Sequence, residues 1–307
     1  MRIITSIAVL VTIGVTTTGA RAQKPQPAKT SHTEEHGWPL DLDGAVRIHN
    51  YNGTVTITGW DRDSVAVTAV IAGPAPVGRP SVFGGGGRRG VKMGIDTPDG
   101  GTAPTAEFVV FVPSRARLSM RGAATAIDIR NFAGTVDAST LSGRLQIGGA
   151  VTEVTAETMD GDLVIEASPT YLTGKTATGR ITWSGASSEV TLGTVSGPIV
   201  ITSGTLHRAR VESISGDIKF SGTLKPGGRV TFDTHSGDIT ATLSRETRAD
   251  LVADATHGTV LGVEFTRAPG KTAYASGVPR GVLALVPRPT DFILRSFKGR
   301  VVVTQPE

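Results

Sequence analysis

Two aspartates in repeated Ser-Gly-Asp-Ile turns are the residues whose type and spacing point most directly to a binding site. Asp217 and Asp238 each follow a glycine, and we expect their turns to stack on one another. Carboxylates about 5 Å apart repel unless a cation or a basic side chain intervenes. Calcium needs roughly six to eight oxygen ligands, and only the hydroxyls of Ser215 and Ser236 lie near in sequence. The ligand count favours two solvated carboxylates, which leaves Asp217 and Asp238 as weak binding candidates.

Catalysis is the second chemistry to consider. Glycoside hydrolysis needs two carboxylates roughly 5–10 Å apart in a groove, and Asp160, Asp162, Asp217 and Asp238 are nominal candidates. The histidines lack metal-ligand spacing, and the sequence has neither cysteine nor a Gly-x-Ser-x-Gly elbow. The glycine run at residues 84–87 lacks the Lys-Ser/Thr pair of a phosphate-binding loop. We therefore expect no catalytic residue, no metal and no cofactor.

Composition narrows the class of protein further. The 307 residues are 38% hydrophobic and include 39 glycines, with 31 basic and 27 acidic residues for a net charge of +4. The hydrophobic share suffices for a buried core. The basic residues form no clustered stripe of the kind that binds nucleic acid. We expect a folded protein with no nucleic-acid partner.

The first 22 residues have the features of a secretory signal peptide. Arg2 precedes an apolar run at residues 3–15, and Ala20-Arg21-Ala22 supplies a cleavage pattern. The run is too short for a stable membrane-spanning helix, although an uncleaved anchor is the alternative. The sequence thus predicts export to the periplasm, the outer-membrane surface or the extracellular space, with no transmembrane segment in the mature chain. The polar, proline-containing residues 23–37 predict a flexible leader.

Residues 38–116 predict an N-terminal β region. Ala45–His49, Thr54–Thr58 and Val65–Ile71 alternate in the period of half-buried strands, with an Asn-Gly turn between the first two. The glycine-rich residues 73–104 break this alternation and predict a loop. The strand pattern resumes at Glu107–Val112.

A module of about twenty residues then recurs through residues 117–304. It has two apolar-alternating segments around a Thr-x-x-Gly turn, and no helical pattern intervenes, which is typical of a β-solenoid. We therefore predict an all-β, parallel β-helix-like solenoid of about ten coils stacked in sequence order. The copies are centred on Thr125, Gly143, Gly161, Gly179, Gly197, Gly216, Gly237, Gly258, Gly281 and Gly299.

The repeat also predicts what each position does. Residues two and four after the glycine and seven before it, such as Leu163, Ile165 and Val154, are nearly all aliphatic or aromatic and should form inward columns. The glycine should adopt positive φ. Leu261 and Val302 should form an outward apolar strip. We expect the early strands, residues 46–71, to cover it, and the alternative is a contact with a second copy of the chain or with the envelope.

The chain resembles a known family in these segments. Gly53–Ile57, Phe108–Pro113 and the Ser-Gly-Asp-Ile turns at Ser215–Ile218 and Ser236–Ile239 are similar to the bacterial putative-adhesin family with β-strand repeats, a domain of unknown function in exported and envelope proteins. The resemblance extends from about residue 40 to the C-terminus. It implies a β-solenoid fold and supplies no catalytic residues.

These observations favour an exported, non-enzymatic β-solenoid protein of the cell envelope that acts as an adhesin, a binding module or structural material. Its expected partner is an envelope or surface ligand, either carbohydrate or protein, and self-association through the solenoid ends is possible. The alternative is a carbohydrate-active β-helix enzyme, a lyase or a hydrolase. That enzyme would need a groove with two carboxylates and an aromatic platform.

Overall fold

A computed structural model describes residues 30–75, 81–96, 102–262, 266–267, 272–276 and 289–305. The predicted signal peptide and the first part of the predicted leader lie outside these ranges. The described residues form strands and turns without any α-helix, so the all-β prediction is confirmed. Within these ranges no helix is long and apolar enough to cross a membrane.

The strands of the described residues join in one hydrogen-bonded sheet. In chain order they are β1 (Ser31–Pro39), β2 (Ala45–Trp60), β3 (Ser64–Ala72), β4 (Val82–Gly87), β5 (Gly90–Ile95), β6 (Thr105–Pro113), β7 (Arg117–Phe132), β8 (Thr135–Thr140), β9 (Leu145–Gly149), β10 (Glu153–Thr158), β11 (Leu163–Ala167), β12 (Tyr171–Lys175), β13 (Ile181–Thr194), β14 (Ile199–Ser213), β15 (Ile218–Thr234), β16 (Ile239–Leu243), β17 (Ala249–Ala255), β18 (Val260–Gly262), β19 (Thr266–Arg267), β20 (Thr272–Ser276), β21 (Thr290–Ser296) and β22 (Val301–Thr304).

Each coil of the central stack has two strands joined by a glycine turn, and we name it by that glycine. In the Gly161 coil, β10 precedes the turn and β11 follows it. β10 pairs in parallel with β8 and β12, and β11 pairs in parallel with β9 and β13. Equivalent residues therefore lie side by side, as the solenoid prediction requires.

The inward columns form the core. Val154, Leu163 and Ile165 are buried, and so are nearly all their counterparts in neighbouring coils. A Cβ placed on Gly174 of β12 would meet Leu192 and, at 3.8 Å, the side chains of Leu163 and Ile165 in the neighbouring coil. The strands before the glycine turns therefore face the strands after them across the interior. The exceptions are at the C-terminal end, where Val260 is half-buried and Gly262 is exposed.

The C-terminal coil is not the last in the stack. Phe292 of β21 pairs with Val230 of β15 on one side and with Leu251 of β17 on the other. β22 likewise lies between β16 and β18. The Gly299 coil is therefore inserted between the Gly237 and Gly258 coils, and the predicted sequence order is wrong at this end.

The structure also changes the assignment of one residue from the coil predicted around Gly281. Tyr274, expected to face inward in its own coil, lies in β20, which pairs antiparallel with β17. The centre of that coil, Gly281, lies outside the described residues.

The predicted N-terminal β region is not separate from the stack. β2 pairs in parallel with both halves of β7, which places Val46 beside Leu118 and Ile57 beside Ile129. On its other side β2 pairs in parallel with β5 and β6, which form the outermost coil. At both ends, then, the chain places a coil out of sequence order.

Antiparallel strands cover the two ends of the stack. β4 pairs with β5, β3 with β6 and β1 with β3 at one end, and β20 pairs with β17 at the other. These pairings satisfy backbone groups that a bare terminal coil would leave open. The predicted cover of Leu261 and Val302 by residues 46–71 is wrong, because those strands lie at the opposite end. Leu261 is exposed and pairs with Val302.

Two predicted loops contain strands. β1 starts at Ser31, so the leader predicted for residues 23–37 ends earlier than expected. Within residues 73–104, β4 and β5 form a hairpin. A Cβ on Gly84 would lie 2.2 Å from the indole of Trp38, so the bare glycine backbone provides the contact surface for that ring.

The turn glycines are required by close backbone approach. Gly143 has a φ of 111°, but Gly161 and Gly179 do not have the positive φ predicted for them. A Cβ on Gly161 would lie 1.8 Å from the carbonyl oxygen of Gly143, and one on Gly179 would lie 1.9 Å from that of Gly161. The hydroxyl three residues before the glycine supports the turn, since the N–H of Gly161 donates to Oγ1 of Thr158.

Candidate functional site

Asp217 and Asp238 lie in one ladder with Arg300. The backbone N–H of Asp238 donates to Oδ1 of Asp217 at 2.9 Å, and the backbone N–H of Arg300 donates to Oδ1 of Asp238 at 2.8 Å. Nε and Nη2 of Arg300 donate to Oδ2 of Asp238 at 3.1 and 2.7 Å. Each carboxylate thus binds the backbone of the next coil, and a basic side chain meets the second one.

The electrostatics follow from these contacts. The backbone N–H of Arg300 lowers the pKa of Asp238, and the guanidinium adds to this effect against the opposing effect of burial. The carboxylate in turn raises the pKa of Arg300. Arg300 thus offsets one of the two negative charges of the stacked pair. The described residues contain no group of three or more acidic or histidine side chains arranged for a metal ion.

The other aspartates considered for catalysis also make structural contacts. Oδ1 of Asp162 accepts the backbone N–H of Arg180 at 2.8 Å, and Oδ1 of Asp160 accepts the hydroxyl of Thr178 at 3.2 Å. Both bonds join neighbouring coils. The structure therefore does not bring these four aspartates together in one groove.

A different carboxylate pair does form. Glu212 of β14 and Asp233 of β15 lie opposite each other beside an open groove of about 560 Å³. Burial raises the pKa of Asp233 against the charge of Arg295, and Glu212 adds to the rise. Arg210 forms an ion pair with Glu212, and Arg295 lies 4.0 Å from Asp233. Two arginines thus hold the pair in place.

The same groove contacts Phe297. The ring of His235 stacks on it with centroids 5.0 Å apart, and the ring of His257 meets it at 88° and 4.6 Å. Phe297 is packed between histidines of two neighbouring coils. The two histidines thus occupy part of the ring, and 40% of Phe297 stays exposed.

A third feature was missed by sequence reasoning. The residue two positions before the turn glycine lies on the outer edge of each coil, and we call this set the apolar edge. Its larger apolar members are between 40% and 57% exposed. The Gly258 coil has Thr256 at this position, and the edge consists of the other nine members: Tyr51, Ala123, Leu141, Met159, Ala177, Val195, Ile214, His235 and Phe297.

The apolar edge is continuous. The backbone N–H of Leu141 donates to the carbonyl of Ala123, that of Met159 to Leu141, that of Ala177 to Met159 and that of Val195 to Ala177. Beyond Val195 the bonds shift by one residue, with Ser215 donating to Val195, His235 to Ser213 and Phe297 to Thr234. At a strand spacing of about 4.8 Å, nine coils give an edge roughly 38 Å long. The sequence contains this pattern, because the position is apolar in most copies of the repeat. It does not by itself indicate a surface strip, since turn residues are ordinarily expected to be polar and solvated.

Parallel coils with inward aliphatic columns and capped ends define the chain as a β-solenoid-like protein. It belongs to the family described as Toastrack DUF4097, whose sequence model matches residues 11–264. The predicted resemblance to a domain family of unknown function is thereby confirmed. No curated protein matches the chain.

Solved structures are similar over nearly the whole chain. A putative adhesin from Bacteroides fragilis NCTC 9343 is 11% identical, with 91% of this chain and 99% of that one covered and a TM-score of 0.45. A putative cell adhesion protein from Clostridium sporogenes ATCC 15579 is 10% identical, with 90% and 100% covered and a TM-score of 0.25. A putative adhesin from Parabacteroides merdae ATCC 43184 is 10% identical, with 90% and 96% covered and a TM-score of 0.27.

Proposed function

We propose that this chain is an exported, non-enzymatic binding protein of the cell envelope, with an adhesin-like role toward a surface ligand. The observation that carries the proposal is the apolar edge. Soluble proteins rarely leave a contiguous apolar strip in water, and such strips mark contact surfaces. The signal-peptide features of residues 1–22 support export.

The edge is suited to binding because it is held rigidly. From Leu141 onwards, each member lies one residue beyond the buried hydroxyl of its turn, and the glycine contacts fix the spacing between coils. Binding to a rigid surface orders few side chains and therefore costs little conformational entropy. A protein ligand with an apolar groove is the partner that fits this edge best.

The alternative, a carbohydrate-active enzyme, draws its support from Glu212 and Asp233. Two neighbouring carboxylates with one raised pKa are the arrangement of a retaining glycosidase. Against it, Arg210 and Arg295 approach the two carboxylates, and Phe297 is packed between histidines. Cleavage of a polysaccharide by the wild-type chain that Glu212→Gln abolishes would support the enzyme and contradict our proposal.

Binding to isolated cell envelopes tests the proposal. The purified mature chain should co-sediment with envelopes, and a Leu141→Lys, Met159→Lys variant should lose most of that binding because both charges lie on the apolar edge. The matched control is Ser139→Lys, Thr155→Lys, which adds the same charge to the outer sheet face of the same two coils. Equal binding by the two variants, or no binding by the wild type, would overturn the proposal.

A further inference from the structure

The lengthened repeats carry a second surface feature, away from the apolar edge. Spacing between turn glycines rises from 18 residues to 19 at Gly216 and to 21 at Gly237. In repeat proteins, such insertions collect on one face, which is often the binding face. Here the insertion includes Gly227 and Gly228, which border an open groove of about 610 Å³.

Three arginines line this groove. Arg208 and Arg210 project from β14, and Arg229 lies directly opposite Arg208 on β15. Like charges opposite each other on neighbouring strands destabilise a sheet. Within the described part of the chain, no carboxylate lies within ion-pair distance of Arg208. On its other side Arg208 pairs with Glu189 of β13, which also borders the groove. The lining thus carries three arginines against two carboxylates, Glu189 and Asp291, and this excess of positive charge is the arrangement expected where an anion binds.

The other two arginines are oriented by carboxylates. Nη2 of Arg229 lies 3.1 Å from Oδ2 of Asp291, and Nη2 of Arg210 pairs with Glu212. A guanidinium has five N–H donors, so each of these retains donors for a ligand. Two guanidiniums a strand spacing apart can share one carboxylate or bind two successive ones.

We infer that this groove binds a linear acidic polysaccharide through its carboxylates. The hydroxyls of Thr191 and Thr231 lie beside the arginines and can bind sugar hydroxyls, and the open groove suits a polymer. The described lining contains no aromatic ring on which nucleic-acid bases would stack. The inference rests on the proposed function, because it gives the exported binding protein a second ligand, separate from the protein ligand of the apolar edge.

Isothermal titration of the mature chain with polygalacturonate tests this inference. Polygalacturonate should bind, and neutral dextran should not. Arg208→Gln, Arg229→Gln should weaken binding by about tenfold or more, because charge-assisted hydrogen bonds are lost. The matched control, Arg144→Gln, Arg180→Gln, removes two exposed arginines that directly follow the turn glycines of two other coils, and it should bind as the wild type does.

Several results would overturn the inference. They are no binding of polygalacturonate, equal weakening in both variants, and binding of polyphosphate with no binding of polygalacturonate. Thermal melting of each variant checks that it is folded. Arg208→Lys keeps the positive charge but loses the paired N–H donors of the guanidinium, so its affinity should lie between those of the wild type and the double variant. If the wild type sediments with envelopes but ignores polygalacturonate, the inference fails and the proposed function stands.

Discussion

Arg300 and Asp238 are neighbours across adjacent strands, although 62 residues separate them in the chain, and Nη2 of Arg300 donates to Oδ2 of Asp238 at 2.7 Å. The contact exists because β21 and β22 insert beside β15 and β16. The same insertion places Phe297 on His235 and Asp291 beside Arg229. One change in coil order thus assembles the aspartate ladder, the aromatic contact and one wall of the groove lined by Arg208, Arg210 and Arg229, which we call the arginine groove.

Asp238→Asn should lower the free energy of unfolding by about 1 kcal/mol at neutral pH, because a charge-assisted bond to an exposed arginine is lost. The pKa of Asp238 is lower in the folded chain than in the unfolded one. Its contribution is therefore present above about pH 4 and is lost as the pH falls below that value. Urea titrations at pH 7 and pH 3 measure this, and a difference between variant and wild type that does not shrink at pH 3 would contradict it.

Gly179→Ala should destabilise the chain by roughly 2 kcal/mol or more, because the new Cβ would collide with the carbonyl oxygen of Gly161. Gly193→Ala is the control, since its Cβ would lie 3.9 Å from the nearest atom, in Lys175. Thermal melts of both variants compare the two sites. Equal melting temperatures would rule out the close approach.

Ile165→Asp should prevent stable folding, at a cost of several kcal/mol, because it places an unpaired carboxylate in the dry core. Val164→Asp, one residue earlier and on the outward face, should have a small effect. Circular dichroism and urea unfolding separate the two outcomes. A folded Ile165→Asp variant of unchanged stability would refute the assignment of inward columns.

Glu34→Gln should weaken the antiparallel strands β1, β3 and β4, which cover the N-terminal end of the stack and which we call the N-terminal cap. Burial raises the pKa of Glu34, but the backbone N–H groups of Val82 and Ser81 and the rings of His36 and His32 outweigh it and lower the pKa to about 2. The carboxylate therefore stabilises the fold above about pH 4.5, and this contribution is lost as the pH falls towards 2.

At pH 7, Glu34→Gln should lower the free energy of opening β1 by about 1–3 kcal/mol, because its hydrogen bonds to the backbone N–H groups of Ser81 and Val82 are weakened. Hydrogen exchange in β1 measures it, and Glu35→Gln, on the exposed face of the same strand, is the control. Identical exchange in the two variants would show that Glu34 does not hold the cap.

The sequence predicted the coil but not the order of the coils. The alternation of apolar and polar residues around positions such as Ile165 and Leu163 indicates which face of a strand is buried. This pattern is the same whichever coils lie on either side, so it does not indicate the order of the coils. Sequence spacing therefore could not reveal that Phe292 lies between Val230 and Leu251. β1 was missed because its inward positions are His32, Glu34 and similar polar residues, which satisfy one another instead of forming an apolar pattern.

For the candidate site, too, the sequence indicates the position of a residue within its coil but not its neighbours in the stack. Asp217 and Asp238 share a repeat position, which is why the sequence indicates that they stack. In the structure each carboxylate accepts a backbone N–H of the next coil, a contact that the ligand count does not predict. Their basic partner, Arg300, shares that position too, but sequence order placed it several coils away. The arginine groove depends on register between β14 and β15, which the inserted residues at Gly227 shift.

Selective disulfide formation tests the coil order most directly, and the chain has no native cysteine to interfere. Thr240 pairs with Val302, and Leu261 lies one strand further on. Thr240→Cys, Val302→Cys should form an intramolecular disulfide under mild oxidation, because adjacent strands bring Cα atoms within about 4.4–6.8 Å. Thr240→Cys, Leu261→Cys should not, since two strand spacings exceed that reach. A disulfide in the second pair and none in the first would restore the sequence order and contradict the inserted coil.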